Sequence, residues 1–337
     1  MRLVPSVAVL ESPDESLLNL GDRLLRVRGA QPELRQVLRL LGAGSTAEQL
    51  AAAWNGDAVA ALLGELEACG WLSSEPHRAF PGETYERQVD YLSLFTPDTA
   101  AAQQRLLDAR VAVIGVGGIG GIVAQHLVAA GVGRFTLVDH DTVAAHNLNR
   151  QFTYGPQDVG RPKVRALARY LRSVRPDAQV TEVGRRVTSV ADLAAALPAG
   201  LDLVVVAADS PADLPATVWT WAAATGTAMA VGSVGVGTGF WGPVLDPSRG
   251  GCWTCFERAR LAPCTDLERE LEQRSTEPAR FSFGPSNTAT AAMLAHDIVQ
   301  FVCSGSCPTM GRRAALDFTR QRITHSEEST CTCPTSS

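Results

Sequence analysis

Hydrophobic and polar positions along the chain follow two regimes that meet near residue 110. Before it the apolar runs are short. Ser6 to Leu10, Ser16 to Leu20 and Arg23 to Val27 read as three brief strands parted by the polar turns SPDES and LGD. Pro32 to Leu41, Thr46 to Trp54 and Asp57 to Cys69 then carry apolar residues at helical spacing, and Ser45 with Glu48 three residues on reads as the cap of the second helix. Residues 74–83, SEPHRAFPGE, read as a linker. Arg87 stands at the start of a further helix in YERQVDYLSLF, and Thr99 to Ala109 predict another.

Beyond residue 110 the runs become strongly apolar. Val111 to Ile114 is a β-branched strand that stops at glycines and gives way to a helical pattern through Leu127; Phe135 to Val138 is the next strand. LDLVVVAADS is an apolar strand closing at Asp209. The run GSVGVGTG, Gly232 to Gly239, reads either as backbone able to approach a substrate carboxylate or as a plain glycine-rich turn. Residues 256–285 are charged, lose periodicity after Glu272 and read as a loop. A core helix from Asn287 to Cys303 and a strand from Ala314 to Phe318 follow. The fold class is α/β: a Rossmann-like nucleotide-binding domain preceded by a small α+β unit resembling a winged helix.

Length and composition narrow this. A chain of 337 residues has room for two domains, and 45% apolar content builds ample cores. The divisions expected are 1–73, a linker and helix over 74–100, and 101–337. A formal charge of −5 argues against general nucleic-acid binding, so phosphate chemistry rests on local cations. No run approaches the roughly 20 strongly apolar residues of a membrane span, and the first residues carry too short an apolar run for a signal peptide. A cytoplasmic protein is expected, in which eight cysteines point to metal or thiol chemistry.

Gly115, Gly117 and Gly120 form G-x-G-x-x-G, with Gly118 between them. Without side chains they let backbone N–H groups and a helix N-terminus close on a phosphate or ribose. Asp139 ends the next strand, where a carboxylate can accept ribose hydroxyls. Asp141, Asn147, Asn149, Arg150 and Gln151 crowd into eleven residues, and Lys163 follows the turn GRP. Amides and cations at that density suit a polyphosphate better than a nicotinamide. Cys252 and Cys255 form C-x-x-C, and Cys331 and Cys333 form C-x-C; the two pairs read as a structural zinc site, as reduced thiols or as a redox pair.

The ordered set D-x-D-x-V-x-x-x-N-L-x-R-Q followed by V-G-x-P-K resembles the ubiquitin-activating, ThiF/HesA/MoeB-type adenylating enzymes. The resemblance implies ATP and Mg²⁺ as ligands. Asp139 would hold ribose; Asn147, Arg150 and Lys163 would hold the triphosphate, with Gln151 beside them. Asp209 would bind magnesium, although AADSP lacks the Thr and Asn of the family's motif. Arg87 falls where the family's arginine reaches across a homodimer to the partner's phosphates. The family's zinc motif matches at Cys252 and Cys255, while C-x-C is one residue shorter than its second pair, leaving Cys264, Cys303 or Cys307 as substitutes. The family places a crossover loop at 256–285, where Arg258, Arg260, Arg274 and Arg280 would guide an anionic peptide end and Cys264 would be a thiol acceptor.

Residues 1–73 resemble the PqqD-like domain that holds leader peptides as an added strand; a DNA-binding winged helix and a structural cap are the alternatives. The fusion is similar to microcin-type peptide adenylating enzymes. It implies ATP-dependent adenylation of a precursor peptide's C-terminal or side-chain carboxylate, the peptide held by residues 15–40, with partner biosynthetic enzymes downstream. The alternatives are activation of a small sulfur-carrier or ubiquitin-like protein and a non-catalytic scaffold presenting a leader peptide to a cyclodehydratase.

Overall fold

The computed structural model of the protein describes residues 1–4, 6–28, 32–74, 84–274, 282–329, 331 and 333, with the side chains of 271–274 left out. Residues 75–83 of the linker expected over 74–83, the Arg274 side chain and Arg280 therefore lie outside the described residues. The chain divides into two compact units, Met1–Leu106 with Val302–Ser304, and Leu107–Phe301 with Gly305–Ser337.

The first unit runs β1 (Arg2–Leu3), β2 (Ala8–Glu11), β3 (Glu15–Leu20), β4 (Arg23–Arg28), α1 (Pro32–Ala43), α2 (Ala47–Ala53), α3 (Gly56–Ala68), β5 (Leu72–Ser73), α4 (Glu86–Leu92) and α5 (Thr99–Asp108). Strands β2, β3 and β4 pair antiparallel in that order, and β1 pairs with β5. Strand β3 alternates, burying Ser16, Leu18 and Leu20 on one face as a half-covered strand must. Leu18 and Leu20 share a core with Leu34, Val37 and Leu41 of α1, Leu50 of α2 and Leu66 of α3. The cap of α2 sits one residue later than expected. Thr46 Oγ1 accepts the Gln49 N–H at 3.2 Å and Gln49 Oε1 accepts the Thr46 N–H at 2.9 Å, a reciprocal box. Ser45 instead donates its hydroxyl to the Leu40 carbonyl at 2.8 Å, at the end of α1, so it is committed to the preceding helix.

The second unit runs β6 (Arg110–Ile114), α6 (Gly120–Ala129), β7 (Arg134–Val138), α7 (Lys163–Val174), β8 (Gln179–Val183), α8 (Val190–Ala196), β9 (Leu203–Val206), α9 (Leu214–Thr225), β10 (Ala228–Val234), β11 (Thr238–Leu245), α10 (Trp253–Leu261), α11 (Asp266–Arg274), α12 (Gly284–Ser304), β12 (Ala314–Asp317) and β13 (Arg322–His325). Among the described residues eight strands form one sheet in the order β13-β12-β11-β10-β9-β6-β7-β8. From β10 to β8 neighbours are parallel, and β11 to β13 add an antiparallel extension. Strand β9 is buried along its whole length and β6 from Val111 on, as strands covered on both faces require. Leaving β6 the chain builds β7 and β8 on one side, then β9 and β10 on the other. That reversal opens a crevice at the carboxyl ends of β6 and β9, where α/β sheets bind ligands.

The α/β, Rossmann-like architecture is as expected. Two stretches differ. The segment read as a loop over 256–285 is helical over Trp253–Leu261 and Asp266–Arg274, its charges lying on exposed helix faces and in ion pairs such as Arg260 with Glu257. Strand β13 was unread because RITH is exposed throughout and carries no alternation in burial. Among the described residues no helix is long and apolar enough to cross a membrane.

Candidate functional site

The glycine loop joins β6 to α6 at the floor of the crevice. Gly115 has φ +83°, and a Cβ there would lie 2.7 Å from the Ala208 backbone nitrogen, so only glycine lets the loop run beside the end of β9. A Cβ on Gly120 would meet the Gly115 carbonyl oxygen at 1.9 Å, which allows α6 to start hard against the turn. Tyr154 braces the loop by donating its hydroxyl to the Val116 carbonyl at 2.5 Å. Burial, reinforced by the Asp139 charge, raises the Tyr154 pKa and keeps it a neutral donor.

Above this floor is a cavity of about 460 Å³. Its walls gather Gly115, Gly117, Gly118, Asp139, Asp141, Asn147, Arg150, Gln151, Lys163 and Asp209, residues spread over almost a hundred positions of chain. Gly120 does not line it and lies under the loop; Arg87 is an exposed residue of α4 in the first unit. Asp139 accepts the Val116 N–H and the Asp141 N–H, each at 2.9 Å, which fixes its carboxylate against the glycine loop. Lys163, 6% exposed, donates to Asp141 at 2.8 Å. Partial burial opposes ionisation of Asp141, but the Lys163 bond and charge outweigh it, with His140 and Arg186 adding, so its carboxyl lies below the usual range. Asn147 is buried, its Oδ1 accepting the Ala144 N–H at 2.9 Å, and Arg150 donates to the His146 carbonyl at 2.7 Å.

One cavity amide is left wanting a partner among the described residues. Gln151 is 4% exposed and, among the described residues, its Oε1 has no hydrogen-bond partner. A buried amide oxygen in that state costs free energy unless a ligand or water meets it. Asp209 stands on the exposed lip of the cavity. The protein around it disfavours the carboxylate and holds its pKa above the usual value, while Arg150 and Lys163 pull it down. An added cation would favour the charged form. The donor set thus fits a nucleotide polyphosphate with its metal ion.

Arg185, Arg186 and Asn287 are among the lining residues not found in the sequence. Arg185 and Arg186 follow β8, and Arg186 donates to Ser210 at 3.1 Å. Their signal was the run VTEVGRRV, a short strand emptying into two cations beside the apolar ones. Asn287, in the first turn of α12, was read as core. It is buried, faces Gly118 closely enough that a Cβ there would lie 2.6 Å from its Oδ1, and donates to Ser282 Oγ at 2.9 Å and the Phe283 carbonyl at 2.8 Å.

The cysteines form a separate cluster. Cys252 and Cys333 are 3.7 Å apart at sulfur, Cys255 and Cys331 3.9 Å, and Cys255 and Cys333 3.5 Å. A tetrahedral thiolate site with metal–sulfur bonds of about 2.3 Å separates its sulfurs by about 3.8 Å. The four residues therefore fit such an ion in spite of the short C-x-C spacing. The suggested substitutes lie elsewhere: Cys303 faces the Ala102 carbonyl and Cys307 faces Thr309. Burial pushes their thiols up to about 12 and about 11. Cys264, on the turn between α10 and α11, faces the Arg260 carbonyl.

A parallel sheet with a glycine loop, a fixed acid after the second strand and a cation-lined cavity at its switch point defines a nucleotide-binding α/β protein built for phosphates. The chain belongs to the ThiF family, whose model matches residues 85–335. It is 42% identical over 110 residues to the SAMP-activating enzyme E1 of Haloferax volcanii, covering 32% of this chain and 39% of that protein. It is 41% identical over 108 residues to the molybdopterin-synthase adenylyltransferase of Salmonella typhimurium, covering 32% and 43%. The matched stretch spans about two fifths of the length of these relatives. In fold it is similar to Escherichia coli MccB solved with ATP, at 21% identity and a TM-score of 0.80 over 99% of this chain and 98% of that one. PaaA gives a TM-score of 0.70 at 19% identity over 97% and 99%.

Proposed function

We propose that the protein adenylates the C-terminal or side-chain carboxylate of a ribosomally made precursor peptide. The observation that carries the reading is the convergence of Asp139, Arg150, Lys163 and Asp209 on one cavity at the switch point. A carboxylate oxygen of the peptide attacks the α-phosphorus of ATP. The bond from that phosphorus to the bridging oxygen breaks, and pyrophosphate leaves with the electron pair. Both reactants are anions, so the site has to neutralise charge as it gathers on the phosphates; Arg150 and Lys163 supply it here and Arg87 across a homodimer. Asp139 would hold ribose, and Asp209 would hold Mg²⁺, which when bound would offset the phosphate charge. No general base is needed, because a carboxylate is ionised at neutral pH.

The N-terminal unit takes the peptide as an added strand on its three-stranded sheet. The likeness in fold to MccB, described as a microcin C7 biosynthetic enzyme and solved with MccA, supports this assignment to natural-product biosynthesis. The four clustered cysteines hold a structural zinc ion. A second reading, activation of a small sulfur-carrier protein, is favoured by a curated relative named as the ThiS adenylyltransferase of Escherichia coli, 38% identical over 107 residues.

ATP–pyrophosphate exchange stimulated by the precursor peptide tests the proposal. Lys163→Ala and Asp209→Ala are each expected to lower it by about 10²–10³-fold, the cost of removing one charge-stabilising group. Undiminished exchange in both variants would sink the assignment. Exchange stimulated by a small protein ending in Gly-Gly, and by no peptide, would decide for the second reading.

A further inference from the structure

A second pocket of about 580 Å³ adjoins the nucleotide cavity and shares Val234 and Ser282 with it. Its chemistry is the opposite. Val236 in the β10–β11 turn, Phe283, Pro285 and Ala289 at the start of α12, and Leu316 and Phe318 at the end of β12 make a largely apolar wall. Its size is that of a ligand pocket, about 300–1,000 Å³. Of the serines in the wall, Ser286 donates its hydroxyl to the Phe283 carbonyl at 2.9 Å, and Ser282 Oγ accepts from Asn287 at 2.9 Å. Asn287 faces the glycine loop with one end of its amide and ties down Ser282 and Phe283 with the other, so the partition between the two spaces is held in place. At its mouth Val236 is 74% exposed and Phe283 67%, apolar groups held open to water.

Joining a carboxylate to the α-phosphate puts the carboxylate among cations, and the side chain beside it has to turn out of that space. The adjoining space is this pocket. We propose that it receives the bulky apolar or aromatic side chain of the substrate residue next to the adenylated carboxylate. A charged or amide side chain would find few partners there and would lose its hydration. The inference rests on the adenylating reading and narrows its substrate to peptides that present an apolar residue beside the reacting carboxylate.

The test is binding of short probes to the full-length protein, followed by calorimetry with and without ATP. N-acetyl-Gly-Phe is expected to bind about 10-fold or more tighter than N-acetyl-Gly-Gly or N-acetyl-Gly-Asp, the discrimination an apolar pocket gives. Val236→Asp and Phe283→Ser, both at exposed positions, are expected to erase that preference and leave ATP affinity unchanged. Equal binding of the three probes, no binding of the Phe-ended probe, or a preference that survives both substitutions overturns the pocket assignment. Failure of the parent protein to bind ATP counts against the adenylating reading alone, because the probe preference is also read without nucleotide.

Discussion

The N-terminal unit and the nucleotide cavity place their buried side chains to opposite ends. In the first, Leu18, Leu34, Leu41, Leu50 and Leu66 are at most 1% exposed and pack on one another, so burial serves cohesion. In the second, the residues hidden from water include Asn147, Gln151 and Lys163, at 4–6% exposure. Burial there strengthens electrostatic interactions by lowering the local dielectric. Mutations should therefore separate stability from chemistry according to which region they enter.

The largest stability effect is expected at Leu66→Ala. Leu66 of α3 is fully buried, and truncating such a leucine removes its transfer energy and leaves a cavity, a loss of about 2–5 kcal/mol. Denaturant unfolding measures it. ATP affinity of the folded fraction should stay at the parent value; a parallel loss of ATP binding would break the contrast between the two regions.

How much of each region could be read in advance follows from the same contrast. Period-2 and helical patterns located β3, β4 and the three N-terminal helices, because a one-sided core imposes them. The nucleotide residues were found by unusual combinations, N-L-N-R-Q beside a glycine loop, which no core requires. Arg185, Arg186 and Asn287 escaped because each is ordinary in its local sequence and reaches the cavity only through long-range topology. The apolar pocket was invisible for that reason too, being made where the β10–β11 turn, α12 and β12 converge. The α2 cap was misplaced by one residue since Ser45 and Thr46 are both good caps, and the Leu40 carbonyl claimed the first.

A smaller effect sharpens the N-terminal side of the comparison. Thr46→Ala removes the hydroxyl that accepts the Gln49 N–H and should cost about 1 kcal/mol in urea unfolding. Ser45→Ala should cost less, because its bond to the Leu40 carbonyl is not part of the cap box. Equal losses in the two variants would restore Ser45 as the cap.

The smallest expected stability change has the opposite sign and lies in the cavity. Asp209 is held above its ordinary carboxylate pKa chiefly by the protein around it, with Arg150 and Lys163 opposing, so its charge costs more in the folded protein than in the unfolded chain. A carboxyl whose folded pKa is raised stabilises the fold only while protonated, and that contribution is lost as pH rises through the folded value. Asp209→Asn keeps the neutral form at every pH. It should raise the melting temperature at pH 7, by about 1–2 °C since solvent at the cavity lip screens the charge. The gain should shrink as pH falls through the raised value and vanish below the ordinary aspartate pKa. On the proposed role of Asp209, pyrophosphate exchange should meanwhile collapse, because an amide is a poorer ligand for a hard cation than a carboxylate. A variant less stable than the parent at pH 7 would show that Asp209 holds the fold together, and the opposition between the two regions would fail at the residue where it is sharpest.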